Sequence, residues 1–469
     1  MVVATVAPMA SSVPTTLGAP SSSGSSTAIR AAVLAGFVGG WDATALYFIF
    51  PAIRDDIAGG DAAAASWVLS ITSIVAAAVM LQAGRVGDRV GHLRTFTIGA
   101  VGYFVAAAAS AVAPTLWFLI VARGAQAVAL ALQGPASMAL IMGGTTRGSE
   151  ARAMGRWGAA TAVAGVLGPI CVAALLTSVS WRVTFALQIP MAAALLVLVR
   201  GAHDPGQRGP ATPLRLVDSA LTVAGLVAVI LPIVEGNEWG WASTRTLGFL
   251  TVGVAMLAVV VVRSRERGVG VIPLHLMKSV DFVTATVAAT AGGALFFAHW
   301  LVYLLFLTEV WGVGLIPSAL LLTTMPATMS VSSVWLGGAI DRHGARRVLV
   351  PVGALYTATI IIFVIVADAD RLIWAMVPML VAAGLAMSAI WPSLNAIALR
   401  RVPSAEIATA AAFVRTISRI GSAVGVAAAV ALSSSGGDTL TGSLRGLWFL
   451  GVAAAITTAA VAMIPERGE

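Results

Sequence analysis

The chain has 469 residues, of which 59% are hydrophobic and only 10% charged, and its formal net charge is +8. Soluble domains carry about 25% charged residues, so this composition excludes a water-soluble globular protein and puts most of the chain in lipid. A nucleic-acid binder gathers its basic residues on one polar face, whereas here they fall in short loops between apolar runs, and the single cysteine, Cys171, excludes an internal disulfide.

Residues 1–29 are rich in Ser, Thr, Ala, Pro and Gly and carry no charge. They lack the basic start and apolar block of a secretory leader, so a disordered tail is expected. A membrane helix needs about 20 mostly apolar residues, and fourteen such runs follow at roughly 31–53, 65–83, 95–113, 115–141, 154–178, 182–199, 216–234, 246–262, 282–308, 316–338, 347–367, 372–398, 405–433 and 443–464. Lys and Arg favour cytoplasmic loops. With both ends inside, twenty of the 28 basic residues are cytoplasmic. Only Arg54, Arg182, Arg245, Arg371 and Arg445 fall outside, and Arg123, Arg415 and Arg419 lie within spans. Adding or removing one helix scrambles this asymmetry.

In the first span, Asp42 sits in Phe37-Val-Gly-Gly-Trp-Asp-Ala-Thr44. A charge at helix centre costs about 2.5–3.5 kcal/mol, and intramembrane acids are functional by default. An acid that is neutral in one conformation and ionised in another can carry a proton. The bland reading is a carboxylate pinned by an Arg for packing alone.

Between the second and third spans lies Gly84-Arg-Val-Gly-Asp88-Arg89-Val-Gly91-His-Leu-Arg94, and the pattern returns as Gly337-Gly-Ala-Ile-Asp341-Arg342-His-Gly344-Ala-Arg-Arg347. The glycines allow tight turns, Asp88 can meet a helix N-terminus, and Arg89 and Arg94 can pair with acids or carbonyls. Such a knot can gate a conformational change; a merely topogenic loop does not explain the doubled spacing. The copies lie 253 residues apart. Over eight helices that is about 32 residues per helix and loop, which fits a 20-residue span with a short connection. Two helices are therefore inserted between two related six-helix halves. The expected organisation is a cytoplasmic tail (1–29), a six-helix bundle (30–200), a linker (201–215), two inserted helices (216–263), a loop (264–281), a second six-helix bundle (282–464) and a tail (465–469).

Arg123, in Arg-Gly-Ala-Gln126, stays charged and needs a partner or a wet cavity; Asp42 is the candidate partner. On the fifth span Gly155, Gly158, Gly165, Gly168 and Pro169 thin the helix for sliding or for close packing. Asp218 and Glu309 sit near span ends, where solvation is expected. His299, beside Trp300, reads as a packing residue. Arg415 and Arg419 are four apart and share a face; either they line a cavity and attract anionic or polar groups, or they snorkel to the cytoplasmic end. Gln126, Trp300, Asn395, Arg415 and Arg419 are the candidate cavity residues. No Gly-Lys-Ser/Thr phosphate loop and no His/Cys metal cluster is present, so no cofactor, metal or enzymatic activity is expected and transport energy must come from an ion gradient.

Together these residues resemble the major facilitator superfamily, in its fourteen-helix drug:proton antiporter branch. The 84–94 loop is similar to the signature loop between helices 2 and 3, and 337–347 to its echo. Arg123-Gly-Ala-Gln126 resembles the fourth-helix Arg-x-x-Gln-Gly motif, with Ala127 in place of Gly. Asp42-Ala-Thr44 with Pro51-Ala-Ile53 resembles the first-helix pattern, Trp181-Arg182 with Phe185 and Gln188-Ile-Pro190 the entry to helix 6, and Glu235–Trp241 the loop between the inserted helices. On helix 5, Gly168-Pro169-Ile-Cys-Val172-Ala173 departs from Gly-Pro-x-x-Gly-Gly. The resemblance implies a monomeric all-α integral membrane protein of 14 helices in the plasma (inner) membrane of a bacterium, with both termini cytoplasmic. It implies proton-driven export of small amphipathic drugs or metabolites by antiport and alternating access, with Asp42 and Arg123 coupling the proton and Gly84, Asp88, Arg89, Gly91, Arg94, Asp341, Arg342 and Gly344 gating. The partners are the bilayer, protons and a small molecule. The rivals are a proton-coupled importer, for which the spans offer few buried Asn, Gln or Glu, and a non-transporting membrane sensor, for which no segment is long enough.

Overall fold

The computed structural model describes residues 22–145, 150–202, 216–266, 276–367, 373–400, 402, 407–435 and 438–464. Among them every regular element is helical, and fourteen helical segments are long and apolar enough to cross a membrane. The first half comprises α1 (Ser22–Ile57), α2 (Ala62–Val90), α3 (His92–Ala111), α4 (Leu116–Gly144), α5 (Glu150–Leu176), α6 (Arg182–Ala186) and α7 (Gln188–Arg200). The inserted pair is α8 (Leu216–Trp239) and α9 (Thr244–Glu266). The second half comprises α10 (Val280–Leu305), α11 (Leu315–Leu322), α12 (Thr324–His343), α13 (Ala345–Val366), α14 (Ile373–Leu399), α15 (Ile407–Ser434) and α16 (Thr439–Ala462). Fourteen antiparallel crossings leave both ends of the bundle on one face, here called the terminal face, together with the 84–94 connection.

Two spans are broken where the sequence dictates it. α6 gives way to α7 at Leu187 and α11 to α12 at Thr323, and each following helix carries proline at its third position, Pro190 and Pro326. Proline lacks the N–H that would close the turn across the break. α10 instead runs on as a π-helical turn, Phe306–Val310, to complete its crossing. Side-chain caps on the opposite face start three helices: Asp61 accepts from Ala64 N (3.0 Å), Thr115 from Phe118 N (3.3 Å) and Asp438 from Thr441 N (3.2 Å). Each satisfies one of the amides that a helix start leaves without a partner.

The two halves repeat one packing scheme. α1 packs on α5 as α10 packs on α15; α2 on α4 as α12 on α14; α3 on α4 as α13 on α14; α3 on α7 as α13 on α16. The seams between halves follow the same symmetry, α2 against α15 and α5 against α11 and α12. α8 lies on α2 and α15 together, so the inserted pair covers one seam, and among the described residues no helix does the same at the other. Its ends are tied to different halves: Ser219 Oγ donates to Ala78 O of α2 (3.2 Å), and Asn237 Nδ2 to Ala431 O of α15 (2.7 Å).

The expected start of the first span moves. α1 begins at Ser22 rather than after residue 29, because Ala28 and Ala31 are fully buried in a cluster with Phe96, Tyr103 and Leu195. Alanine-rich sequence is good helix former, and the buried contacts hold this extra turn against α3 and α7. Residues 1–21, 203–215 and 465–469, assigned to tail and linker, lie outside the described residues.

Candidate functional site

The glycines of α1 set the direction of Asp42. A Cβ on Gly40 would collide with the Thr161 carbonyl of α5, and Thr161 Oγ1 donates to Gly36 O (3.1 Å), so this face of α1 lies flush on α5. Asp42 is two residues further on, about 200° around the helix at 3.6 residues per turn. It therefore points the other way, toward α4 and α2.

There it meets Arg123. Nη1 of Arg123 donates to Asp42 Oδ1 (2.6 Å) and Nη2 to Oδ2 (3.0 Å), a two-point ion pair between side chains that are 4% and 1% exposed. The second hydrogens go to Gln126 Oε1 (2.7 Å) and Thr72 Oγ1 (2.9 Å). Gln126 Nε2 donates in turn to Gln188 Oε1 (2.5 Å), and the guanidinium lies 5.8 Å from the centre of the Phe185 ring. Four of the five Arg123 donors are thus satisfied, and Nε–H has no partner among the described residues. The site draws on α1, α2, α4, α6 and α7. Sequence reasoning found Asp42, Arg123 and Gln126 from their polarity mid-span. It missed Thr72, a common residue in any helix, and gave Gln188 and Phe185 no role in this site.

The repeated loops share one backbone device. Gly91 ends α2 and starts α3 at φ 97°, ψ 142°; Gly344 ends α12 and starts α13 at φ 87°, ψ 153°. Each amide returns to the preceding helix, Gly91 N to Gly87 O (3.0 Å) and Gly344 N to Ile340 O (2.9 Å). Positive φ strains any residue with a Cβ, so the last glycine of each motif is fixed by conformation. Thr95 Oγ1 closes the first turn on Gly91 O (2.9 Å). The second copy has Val348 there and lacks this hydroxyl. Gly84 and Gly337 face open space. Arg89, Arg94 and Arg342 are exposed at the helix ends and make no ion pair among the described residues. The side chains of Asp88 and Asp341 lie outside the described residues.

The remaining candidates fall in different places. Gly165, Gly168 and Pro169 are buried at the junction of the halves: a Cβ on Gly168 would lie 3.3 Å from Thr44 Oγ1, and one on Gly165 3.9 Å from Pro326 of α12. Gln126 and Trp300 do not line an open cavity. Gln126 is sealed in the Arg123 network, and Trp300, 1% exposed, packs edge-on against Phe48 of α1 with ring centres 6.3 Å apart. Bulk and shape placed this indole in the seam between halves. The side chain of Asn395 lies outside the described residues. Arg415 is exposed, and Arg419 is half-buried with its guanidinium 5.2 Å from the Phe297 ring centre. His299 is a packing residue: Nδ1 lies 3.2 Å from Leu295 O, and the ring sits among Phe296, Trp300 and Tyr303.

Of the two acids expected to be solvated, Glu309 is exposed and Asp218 is not. Asp218 is buried and takes Arg263 Nε at 2.9 Å. Glu309 binds Arg54 Nη1 and so joins the far end of α1 to the π-helical end of α10. Asp281, at the first turn of α10, is held by Arg400 Nη2 at 2.9 and 3.0 Å. In each case the partner is remote in sequence, which hid it. Beside the Arg54–Glu309 contact, Asp56 accepts from Trp181 Nε1 (2.9 Å) and Arg182 Nη1 (2.8 Å). Arg54, Asp56, Trp181, Arg182 and Glu309 line a cavity of about 650 Å³ on the face opposite the termini. Among the described residues no group of three or more His, Cys, Asp or Glu could hold a metal ion.

The profile of the Major Facilitator Superfamily matches residues 32–426. A tetracenomycin C resistance and export protein of Streptomyces glaucescens is 28% identical over 68% of this chain and 59% of its own length. A probable actinorhodin transporter of Streptomyces coelicolor is 29% identical over 82% of this chain and 68% of its own. The multidrug efflux pump LfrA of Mycolicibacterium smegmatis is 27% identical over 82% and 76%. The chain thus spans only 59% of the first of these relatives. Among solved structures, a D-xylose–proton symporter superimposes with a TM-score of 0.67 at 13% identity, covering 94% of this chain and 98% of that one. A peptide transporter does so with a TM-score of 0.70 at 14% identity, covering 93% and 94%. At these identities the structural likeness speaks for the fold alone.

Proposed function

The chain belongs to the Major Facilitator Superfamily, and from that premise we propose that it is a proton-driven exporter of small amphipathic compounds, working by antiport and alternating access. The buried Asp42–Arg123 pair carries this reading. A carboxylate beside a guanidinium prefers to stay ionised, and loses that preference when the two separate. Movement of α1 against α4 then decides whether Asp42 holds a proton. In the arrangement seen, Asp42 is clasped by Arg123, while Phe48–Trp300 and Arg54–Glu309 close the seam toward the opposite face.

The terminal face is cytoplasmic on this reading, because its loops hold most of the basic residues and such loops stay inside. The closed end then faces outward, and the 650 Å³ cavity above it is the exit vestibule. The positive-φ glycines at 91 and 344 keep the two helix connections tight while the halves rock. Export is favoured over import because relatives that align over much of the chain are named for resistance and efflux.

The test is proton flux measured with transport. In everted membrane vesicles acidified inside, addition of a transported dye should release protons, and Asp42→Asn should abolish that release. Dye accumulation that persists undiminished after the proton gradient is collapsed would overturn the reading.

A further inference from the structure

Five arginines within or at the ends of spans each hold a carboxylate: Arg54 with Glu309, Arg123 with Asp42, Arg182 with Asp56, Arg263 with Asp218 and Arg400 with Asp281. Arg415 and Arg419 do not. Among the described residues neither makes an ion pair or a hydrogen bond, although both lie inside the α15 span. We propose that Arg415 and Arg419 bind an anionic group of the transported compound, so that the substrate class is an aromatic acid; this rests on the exporter reading above.

The placement of the pair argues for a ligand site. The two residues are four apart and so share a face of α15, the helix that meets α2 along the seam, where Ser422 Oγ donates to Ser73 Oγ at 3.0 Å. Ser73 adjoins Thr72, which holds Arg123, so the arginines lie near the level of the Asp42 site. Arg419 is within electrostatic reach of Asp42 and Tyr47, and Arg415 opposes it as a like charge. Both oxygens of Asp42 are already taken by Arg123. The Asp42–Arg123 pair sums to zero, and the surplus charge beside it is positive. Two like charges one turn apart repel, and an anion held between them would relieve that repulsion.

The geometry also selects the kind of anion. A guanidinium presents a planar fork that matches a carboxylate, sulfonate or phenolate at two points. Arg419 already lies against the Phe297 ring, so an aromatic frame entering here finds an aromatic wall beside the charge. Arg415 is exposed and Arg419 half-buried, so neither is sealed inside the protein.

Fluorescein and rhodamine 123 share a xanthene frame and carry opposite charge, which makes them the matched probes. The full chain is reconstituted in phosphatidylcholine vesicles, and uptake kinetics are measured for each dye. The expected result is saturable uptake of fluorescein, with KM raised at least tenfold in Arg415→Gln/Arg419→Gln and kcat changed less than threefold. The Arg415→Lys/Arg419→Lys variant should keep KM within about threefold, which separates lost charge from lost fold. Added phosphatidylglycerol should leave the wild-type KM unchanged; if it raises KM tenfold, the pair is a lipid-phosphate site and the substrate assignment falls. Uptake of rhodamine 123 but not fluorescein, or a fluorescein KM indifferent to the double Gln change, overturns the proposal and leaves the exporter reading standing. Uptake of neither dye by wild type, with no proton release to any compound, overturns both.

Discussion

Arg123 clasps Asp42 through both terminal nitrogens, at 2.6 and 3.0 Å, across 81 positions of sequence and with almost no solvent at either side chain. Removing one member of a buried pair leaves the other charge uncompensated, which costs about 3–5 kcal/mol.

Arg123→Ala is therefore expected to destabilise more than an ordinary truncation, because Asp42 is then buried without its partner. The double change Asp42→Asn/Arg123→Gln should recover most of that loss while remaining uncoupled from protons. Thermal unfolding in detergent measures the first effect and dye-induced proton release the second. Equal stability of single and double variants would mean that the pair is not what holds α1 to α4.

Arg54 and Glu309 join the halves at the face opposite the termini, where both side chains are partly exposed at 22% and 31%. Such pairs contribute about 0.2–1 kcal/mol, enough to shift a two-state population by up to about fivefold. Glu309→Gln should raise the labelling rate of a cysteine introduced at Phe48, just inside this closure, by about two- to fivefold. Exchanging the charges, Arg54→Glu/Glu309→Arg, should restore the slower rate. Labelling that is the same in all three proteins would remove this contact from the closure.

Gly91 and Gly344 take φ 97° and 87°, a region that strains residues with a Cβ by roughly 1–3 kcal/mol. Alanine at either position should lower the unfolding midpoint and the yield of folded protein. Gly84 belongs to the same motif but is helical and has nothing within 4 Å of a Cβ. Gly84→Ala should be neutral or slightly stabilising, as alanine is the better helix former by up to about 1 kcal/mol. A reversed order of the two effects would contradict the turn geometry.

The parallel helices α10 and α15 touch backbone to backbone. A Cβ on Gly421 would collide with the Thr290 carbonyl, and one on Gly425 with Ala294. Gly421→Ala is expected to destabilise by about 1–3 kcal/mol, the usual result of overpacking. Thermal melting of purified protein checks it, and an unchanged midpoint would show that the two helices have room to separate.

The sequence by itself determined the elements and their count. Apolar runs of spanning length, broken by charged loops, need no long-range information, because lipid requires each span to satisfy its own backbone hydrogen bonds. The doubled glycine and aspartate spacing exposed two related halves and an inserted pair, and the cost of a lone charge in an apolar run marked Asp42, Arg123, Arg415 and Arg419. What the tertiary structure decided is which charge meets which. Asp218 reads as solvated and is instead buried against Arg263, while Glu309 is exposed as expected and also meets Arg54 of the other half. Trp300 and Gln126 read as cavity walls and are packed into the seam and the Arg123 network. Helical periodicity fixes the face a side chain occupies, but the facing helix is chosen by packing between segments up to 349 residues apart, and no local pattern encodes that choice.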